Sequence, residues 1–439
     1  MIIYKVNRNM QYSREQLQAF NKYIDGENVF ITGPGGSGKT ELIRAIYAKS
    51  KQNKENIQVC ALTGCAALLL RCHAKTIHSW SGIGFGNGCI DTILSKIKTN
   101  PYKLRAWLEI KTLVIDEVSM LSFKIFELLD VIGRNLRNRL DTPFGGIQVI
   151  FSGDFYQLPP VGTTGDIDTF RFCFESETWN ECFPRSCQIQ LVKIFRQTDD
   201  VYATMLTQIR EGKIKRKSLN LLMTYVGREK PSEMVIPQLY PVRHKVVQIN
   251  HRKMAELPGE ERSFCIKKQT HHSPSRVSDE KVDAELRHME STIMCESVLK
   301  LKQGAHVMCV VNISVDDDNA ICNGSQGVVS SFSCTGLPIV MFNNGLEITM
   351  NYHTWESEHI AGVGISQIPL ILAWAITIHK SQGSTMDCAE IDVGSGIFEC
   401  GQTYVALSRI KSLDGLYLTS FDVSRIKINK KVQQFYSKY

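Results

Sequence analysis

The chain has 439 residues, 51 Lys and Arg against 44 Asp and Glu, and 14 cysteines. That length exceeds one ordinary core and implies two to four domains, while no apolar run approaches the ~18 residues of a membrane span and the N-terminus shows neither a secretory nor a transit pattern. The cysteines form no C-x-x-C pair and match no zinc spacing. A membrane protein, a disulfide scaffold and a zinc module are thereby excluded, and an intracellular, reducing setting in nucleus or cytoplasm is expected. The net charge of +7 suits a polyanionic partner without identifying one.

In chain order, Ser13 followed by Gln16 forms a capping box. The Gln16 amide also has the paired donor and acceptor that would read an adenine edge, and the residues alone leave both readings open. Asn28 to Arg44 then reads as an apolar strand (Val29, Phe30, Ile31), a tight turn (Gly33-Pro34-Gly35-Gly36-Ser37-Gly38) and a helix from Lys39. This is a P-loop: glycines bring backbone N–H groups close to an anion, and the helix N-terminus adds its positive dipole end. Lys39 is expected to reach the β/γ-phosphates and Thr40 to hold Mg²⁺. A ligand-free strand-to-helix turn is the alternative, and all eight P-loop positions and both flanks speak against it.

A second strand spans 57–63, followed by a helix over 65–73 and a polar, aromatic stretch around His78, Trp80 and Phe85, whose rings would either stack on bases or pack the loop. A third strand ends in Asp116-Glu117, placed so that one carboxylate would hold Mg²⁺ and the other polarise the attacking water. A helix over 123–140 closes with Arg134, Arg137 and Arg139, expected as a solvated face balancing the helix dipole. The fourth strand delivers Gln157 to a Pro-stiffened loop, where it can bond a γ-phosphate and lose that bond on hydrolysis.

A second α/β block is expected from residue 188, with a helix over 199–210, the basic run 213–217 and a strand over 234–240. Residues 259–292 are polar, least structured at 271–276, and read as an exposed insertion. Alternating runs at 305–311, 327–332, 337–342 and 346–350, with turns at Asn323-Gly324 and Asn343–Gly345, read as a small antiparallel barrel. The block resumes with an apolar strand over 370–377 leading to His379-Lys380-Ser-Gln382-Gly383. It ends with a helix carrying Arg409, placed as an in-chain arginine finger, though a helix-end arginine balancing the dipole is the commoner case, and a strand over 415–419.

Taken together, the motifs at 33–40, 115–120, 153–161, 195–197, 301–308, 323–327, 379–383 and 404–409 resemble, in order, those of superfamily-one helicases of the 5′→3′ branch, and closely those of the Pif-type group. The resemblance implies an α/β fold with two RecA-like motor domains, residues 1–187 and 188–243 plus 370–439, and a small barrel inserted at 244–369. A short wedge-like segment is expected at 84–106. It implies ATP and Mg²⁺ as cofactors. Gln16 and residues 33–40 would bind nucleotide, with Gly383 at the same site; Thr40 and Asp116 would hold the metal and Glu117 would activate water. Gln157 would sense the γ-phosphate, and Arg196 and Arg409 would stabilise the transferred charge.

Thr63, His78, Thr377, His379 and Lys380 sit in motifs that touch single-stranded DNA in the family. The implied activity is ATP-driven translocation on single-stranded DNA and unwinding of tailed or forked duplex by a monomeric motor, in replication, repair, recombination or telomere maintenance, of cellular or viral origin. A RecD-like motor subunit of a larger complex and an ATP-gated single-strand clamp are the competing readings. A pure clamp has no need of Glu117.

Overall fold

Strands buried on both faces need apolar residues at successive positions, and the runs flanking the motifs have them. In this computed structural model they form a six-stranded parallel sheet of β1 (Val29–Thr32), β2 (Ile57–Ala61), β3 (Lys75–Thr76), β4 (Thr112–Asp116), β5 (Gln148–Gly153) and β6 (Gln188–Gln190), in the order β3-β2-β4-β5-β1-β6. The structure describes residues 12–438 other than 64–65, 68–69, 85, 87, 231–235, 271–277, 294, 312, 315–319, 322–324, 358–359 and 361. The expected barrel turn at 323–324, the insertion centre at 271–276, the start of the 234–240 strand and Phe85 therefore lie outside the described residues, as does part of the helix expected over 65–73.

Alternation along the strands feeds two cores. Phe30, Cys60, Ile115 and Phe151 point to one, and Val29, Ile31, Val59, Val114 and Ile150 to the other. The first is unusually aromatic: Phe30, Phe126, Phe151, Phe155, Trp179 and Phe183 meet with ring centroids such as 5.0 Å for Phe30–Trp179 and 4.7 Å for Trp179–Phe183. Ring pairs of this kind contribute about 0.5–1.5 kcal/mol beyond the area they bury. Helix Lys430–Tyr436 brings Phe435 to 5.2 Å from Phe155.

The chain divides into two compact units, Met1–Lys230 with Gln382–Tyr439, and Pro231–Ser381. The six-stranded sheet lies in the first, which also holds a parallel pair, Ala389–Val393 with Leu416–Phe421. In the second, Gln326–Phe332, Pro338–Phe342 and Glu347–Thr349 pair antiparallel in sequence, and His306–Cys309 joins the first of them to Leu370–Leu372.

Several expectations are corrected. Residues 188–190 do not open a new sheet; they pair parallel with Phe30–Thr32 at the edge of the first one. The run 370–377 is not one strand: Leu370–Leu372 joins the antiparallel sheet and Ala375–Thr377 pairs parallel with Gln238–Tyr240. The break is pinned by Asn250, whose amide donates to the carbonyls of Ala375 (3.0 Å) and Leu372 (3.3 Å) while accepting from Ala375 N–H (2.9 Å).

The polar stretch 259–292 is more ordered than composition suggests, with strands Arg262–Cys265 and Lys267–Thr270 and a helix Asp279–Thr292. One apolar stripe, Val282, Leu286 and Met289 at helical spacing, packs on Val363 and Ile365.

The helix expected over 123–140 ends at Leu136; of the three arginines expected as a solvated face, Arg139 is exposed, whereas Arg134 and Arg137 are tied into the structure. Arg134 pairs with the buried Asp130 (2.7 Å), and Arg137 donates to the carbonyls of Trp107, Leu108, Ile110 and Gly145. Carbonyls at chain turns are otherwise orphaned acceptors, so a guanidinium with five donors serves several at once.

Candidate nucleotide site

β1 ends at Thr32 and the helix Lys39–Gln52 begins seven residues later, with Gly38 in the left-handed region (φ 83) as its N-cap. Lys39 folds back on the loop, its Nζ donating to the carbonyls of Gly33 (2.7 Å) and Pro34 (3.0 Å). Withdrawal from water lowers its pKa, against the pull of Asp154, Glu117 and Asp116. Ser37 Oγ is buried without a hydrogen-bond partner. Gln16 keeps its capping box with Ser13 and also donates from Nε2 to the Gly38 carbonyl at 3.3 Å, so the local reading holds and the amide lies against the P-loop.

Because β5 lies between β1 and β4, the carboxyl ends of all three strands fall on one edge of the sheet. β4 delivers Asp116, buried, with its pKa pushed up to about 6 by burial first and by Glu117 second. Glu117 has left-handed backbone (φ 57, ψ 40), an uncommon conformation for a non-glycine residue that re-aims the second carboxylate. The hard-oxygen set of Thr40 and a buried Asp116 fits Mg²⁺, which takes one or two carboxylates and completes its shell with phosphate and water. Among the described residues there is no cluster of three or more His, Cys, Asp or Glu that could hold a metal ion.

β5 delivers Asp154 and, after a turn closed by Gln157 N–H to the Asp154 carbonyl (2.8 Å), Gln157. The Gln157 side chain is buried and its Oε1 has no partner. Asp154 is 0% and Arg210 4% exposed as a side chain, and they form a two-pronged ion pair of 2.8 and 2.9 Å. Burial works against the Arg210 charge, but the attraction of Asp154 outweighs it and raises the pKa. The guanidinium lies 4.5 Å from the Tyr156 ring centroid and 5.3 Å from that of Tyr436. Tyr436 Oη in turn shares a 2.6 Å hydrogen bond with Thr32, the residue before the P-loop, and accepts from Phe155 N–H at 3.1 Å.

The two arginines expected as finger residues both reach the P-loop. A Cβ built on Gly35 would lie 3.5 Å from Arg196 Nη1 and 3.6 Å from Arg409 Nη2, so both guanidinium groups come within van der Waals reach of the loop. Arg196 donates to the Ser408 carbonyl (3.0 Å), and Arg409 to the Val405 carbonyl (2.8 Å) and Ser408 Oγ (2.8 Å). Arg409 is 1% exposed, and burial, then the like charge of Arg196, lowers its pKa to about 9.

A buried and a half-buried cation beside a glycine-rich turn attract an anion. Gly35 N–H donates to Tyr404 Oη at 2.8 Å, tying the helix Gln402–Leu407, which ends two residues before Arg409, to the loop. Arg409→Ala is expected to lower the maximal rate of ATP hydrolysis by about 10³-fold with nucleotide affinity changed far less. Stopped-turnover phosphate release and equilibrium binding of a fluorescent ADP check this, and an unchanged rate refutes it.

The residues expected to meet DNA are not gathered in one unit. Thr63 is exposed and its Oγ1 accepts from Ala66 N–H (3.2 Å), and His78 is half-buried with its pKa lowered by burial. In the other unit, Thr377 and His379 are half-buried, Lys380 is exposed, and Thr377 Oγ1 accepts from Lys380 N–H at 3.3 Å. Trp80 is core, its ring 4.8 Å from that of Trp107, and so is unavailable for stacking on bases. The segment 84–106 expected as a wedge holds the helix Ile90–Thr99 and most of the helix Pro101–Glu109.

The PIF1-like helicase family matches residues 11–220, and the 2B domain of DNA helicase Pif1 matches 287–332. A crystal structure of Pif1 helicase from Candida albicans superposes with a TM-score of 0.83 at 32% identity, covering 98% of this chain and 100% of that one. The chain belongs to the Pif1-like helicase family. A Bacteroides Pif1 helicase in complex with ADP-AlF3 and single-stranded DNA gives a TM-score of 0.72 at 30% identity, covering 98% of this chain and 97% of that chain. The human ATP-dependent DNA helicase PIF1 is 35% identical over 437 residues, 97% of this chain, and the chain spans 64% of the length of that relative.

Within this Pif1-like chain, sequence reasoning missed Arg210, Tyr404 and Tyr436 as neighbours of the P-loop. Arg210 and Tyr436 lie in helices whose sequence carries no motif, and their partner Asp154 reads as a strand-end residue like many others. Tyr404 stands within the last motif, where Arg409 drew the attention.

Proposed function

We propose that this Pif1-like chain is an ATP-dependent 5′→3′ DNA helicase that translocates on single-stranded DNA and unwinds tailed or forked duplex. The observation that carries the reading is the approach of Arg196 and Arg409 to Gly35 of the P-loop, since hydrolysis coupled to movement requires arginines from late segments to meet the phosphates. In this reading residues 188–243 with 370–439 act as a second motor domain, and 244–369 as its insertion. Gln16 and residues 33–40 hold ATP, with Gly383 beside them, and Thr40 and Asp116 hold Mg²⁺, which neutralises phosphate charge when bound. Glu117 takes a proton from the attacking water, and Gln157, Lys39, Arg196 and Arg409 hold the γ-phosphate. Their contacts vanish with it, so the chemical state of the nucleotide sets which arrangement of the motor is favoured.

Thr63, His78, Thr377, His379 and Lys380 contact the strand, mainly its phosphates, so affinity is expected to be insensitive to sequence and to fall steeply with salt. Among the described residues no helix is long and apolar enough to cross a membrane. An intracellular role in genome replication, repair, recombination or telomere maintenance, in nucleus or cytoplasm and of cellular or viral origin, goes with this proposal, as does action as a monomer. Strand displacement on duplexes with a 5′ or a 3′ tail, each with and without a block on the tail, tests it. Displacement confined to unblocked 5′ tails is expected; displacement from 3′ tails alone, or tight binding without displacement, overturns it.

A further inference from the structure

Gln382 is not among the residues given a role above, yet its Nε2 donates to Glu117 Oε2 at 3.1 Å. The residue is 8% exposed, and its Oε1 is buried with no hydrogen-bond partner. An amide that spends its donor on a carboxylate while leaving its acceptor unsatisfied is held by only one of its two ends, and has a reason to reorient when a donor arrives. Its target is itself unusual, since Glu117 carries the left-handed backbone described above. Gln382 also follows Lys380 by two residues and Thr377 by five, with the short 3-10 turn His379–Ser381 between them. Displacing that turn by about 1 Å suffices to break a 3.1 Å bond, because hydrogen bonds weaken steeply beyond about 3.5 Å.

We propose that Gln382 is a positioning residue that couples occupancy of the strand at Thr377–Lys380 to the orientation of the Glu117 carboxylate, making ATP hydrolysis depend on bound single-stranded DNA. The inference rests on the helicase reading above. With the bond made, one carboxylate oxygen is committed to the amide and the group is turned toward Gln382; with it released, the carboxylate is free to accept a proton from water. No new bond chemistry is involved.

The test measures steady-state ATP hydrolysis by the full chain with and without oligo-dT, for wild type, Gln382→Ala and Gln382→Glu, the second keeping the volume but losing the donor. Strand affinity by fluorescence anisotropy and ADP affinity are measured alongside. The expected result is a fall in the ratio of stimulated to unstimulated rate of about 5- to 100-fold in both variants, with strand and ADP affinities within about twofold of wild type. A ratio preserved in Gln382→Ala or in Gln382→Glu overturns the coupling, as does a fall accompanied by an equal loss of strand or ADP affinity. A wild type that hydrolyses ATP without any stimulation defeats the helicase reading itself, which separates the two failures.

Discussion

Lys39→Ala is expected to abolish ATP hydrolysis, by about 10²–10³-fold or more, while leaving strand binding intact. Lys39 already sits over the loop, bonded to the carbonyls of Gly33 and Pro34, and has only to exchange those acceptors for phosphate oxygens. A charged donor aimed at developing charge in a water-poor site contributes about 2.7–4 kcal/mol to catalysis, and alanine has nothing to offer in its place. The strand residues lie elsewhere in the chain, so anisotropy with a labelled oligonucleotide should report near wild-type affinity. Wild-type phosphate release by the variant would contradict the assignment of the P-loop.

Arg210→Ala is expected to cost about 3–5 kcal/mol of folding stability, among the larger effects open to a single substitution. The reason is asymmetric: the guanidinium and Asp154 are both withdrawn from water, so removing one leaves the other charged, buried and unpaired. Replacing both, as in Asp154→Leu with Arg210→Met, should cost less than Arg210→Ala alone. Urea melts of wild type, Arg210→Ala and the double variant check this, and a double variant that costs as much as Arg210→Ala or more would show that the pair does not act as a unit. ATP turnover should fall in Arg210→Ala as well, because the Asp154 carbonyl holds the turn that presents Gln157, and Tyr436, beside the same guanidinium, bonds Thr32 at the mouth of the P-loop.

The nucleotide half of the site was legible because its chemistry is local. Gly33 to Thr40 are consecutive, Asp116 and Glu117 adjacent, and a strand followed by a glycine turn and a helix can be read from hydrophobic runs and turn residues over a few positions. The strand-contact residues were legible only as motif members. Trp80 shows the limit: an aromatic in a polar stretch reads equally as a stacking platform or as core, and contact with Trp107, 27 positions away, decides it.

Boundaries failed where a few residues have two possible partners. Residues 188–190, one isoleucine between two glutamines, carry no mark of which sheet they join, and the backbone of Phe30–Thr32 takes them as a parallel edge strand. Leu370 to Thr377 read as one strand because propensity carries no mark of which neighbour supplies the hydrogen bonds; Asn250 supplied the break. In 259–292 the four-residue spacing of Val282 and Leu286 and the later Met289 is a weak helical signal that polar composition outweighed, and Val363 and Ile365, distant in sequence, gave that stripe something to cover.

By itself, then, the sequence determined the P-loop, the carboxylate pair at the end of β4, the alternation that sends each strand to two cores and the order of the helicase motifs, since each depends on neighbours a few residues apart. Only the tertiary structure decided that Arg196 and Arg409 converge on Gly35, that Arg210 neutralises Asp154 and that Gln382 holds Glu117. Those pairings join residues between 56 and 374 positions apart: a side chain's charge and reach are written in its type, but the partner it meets depends on how the whole chain packs.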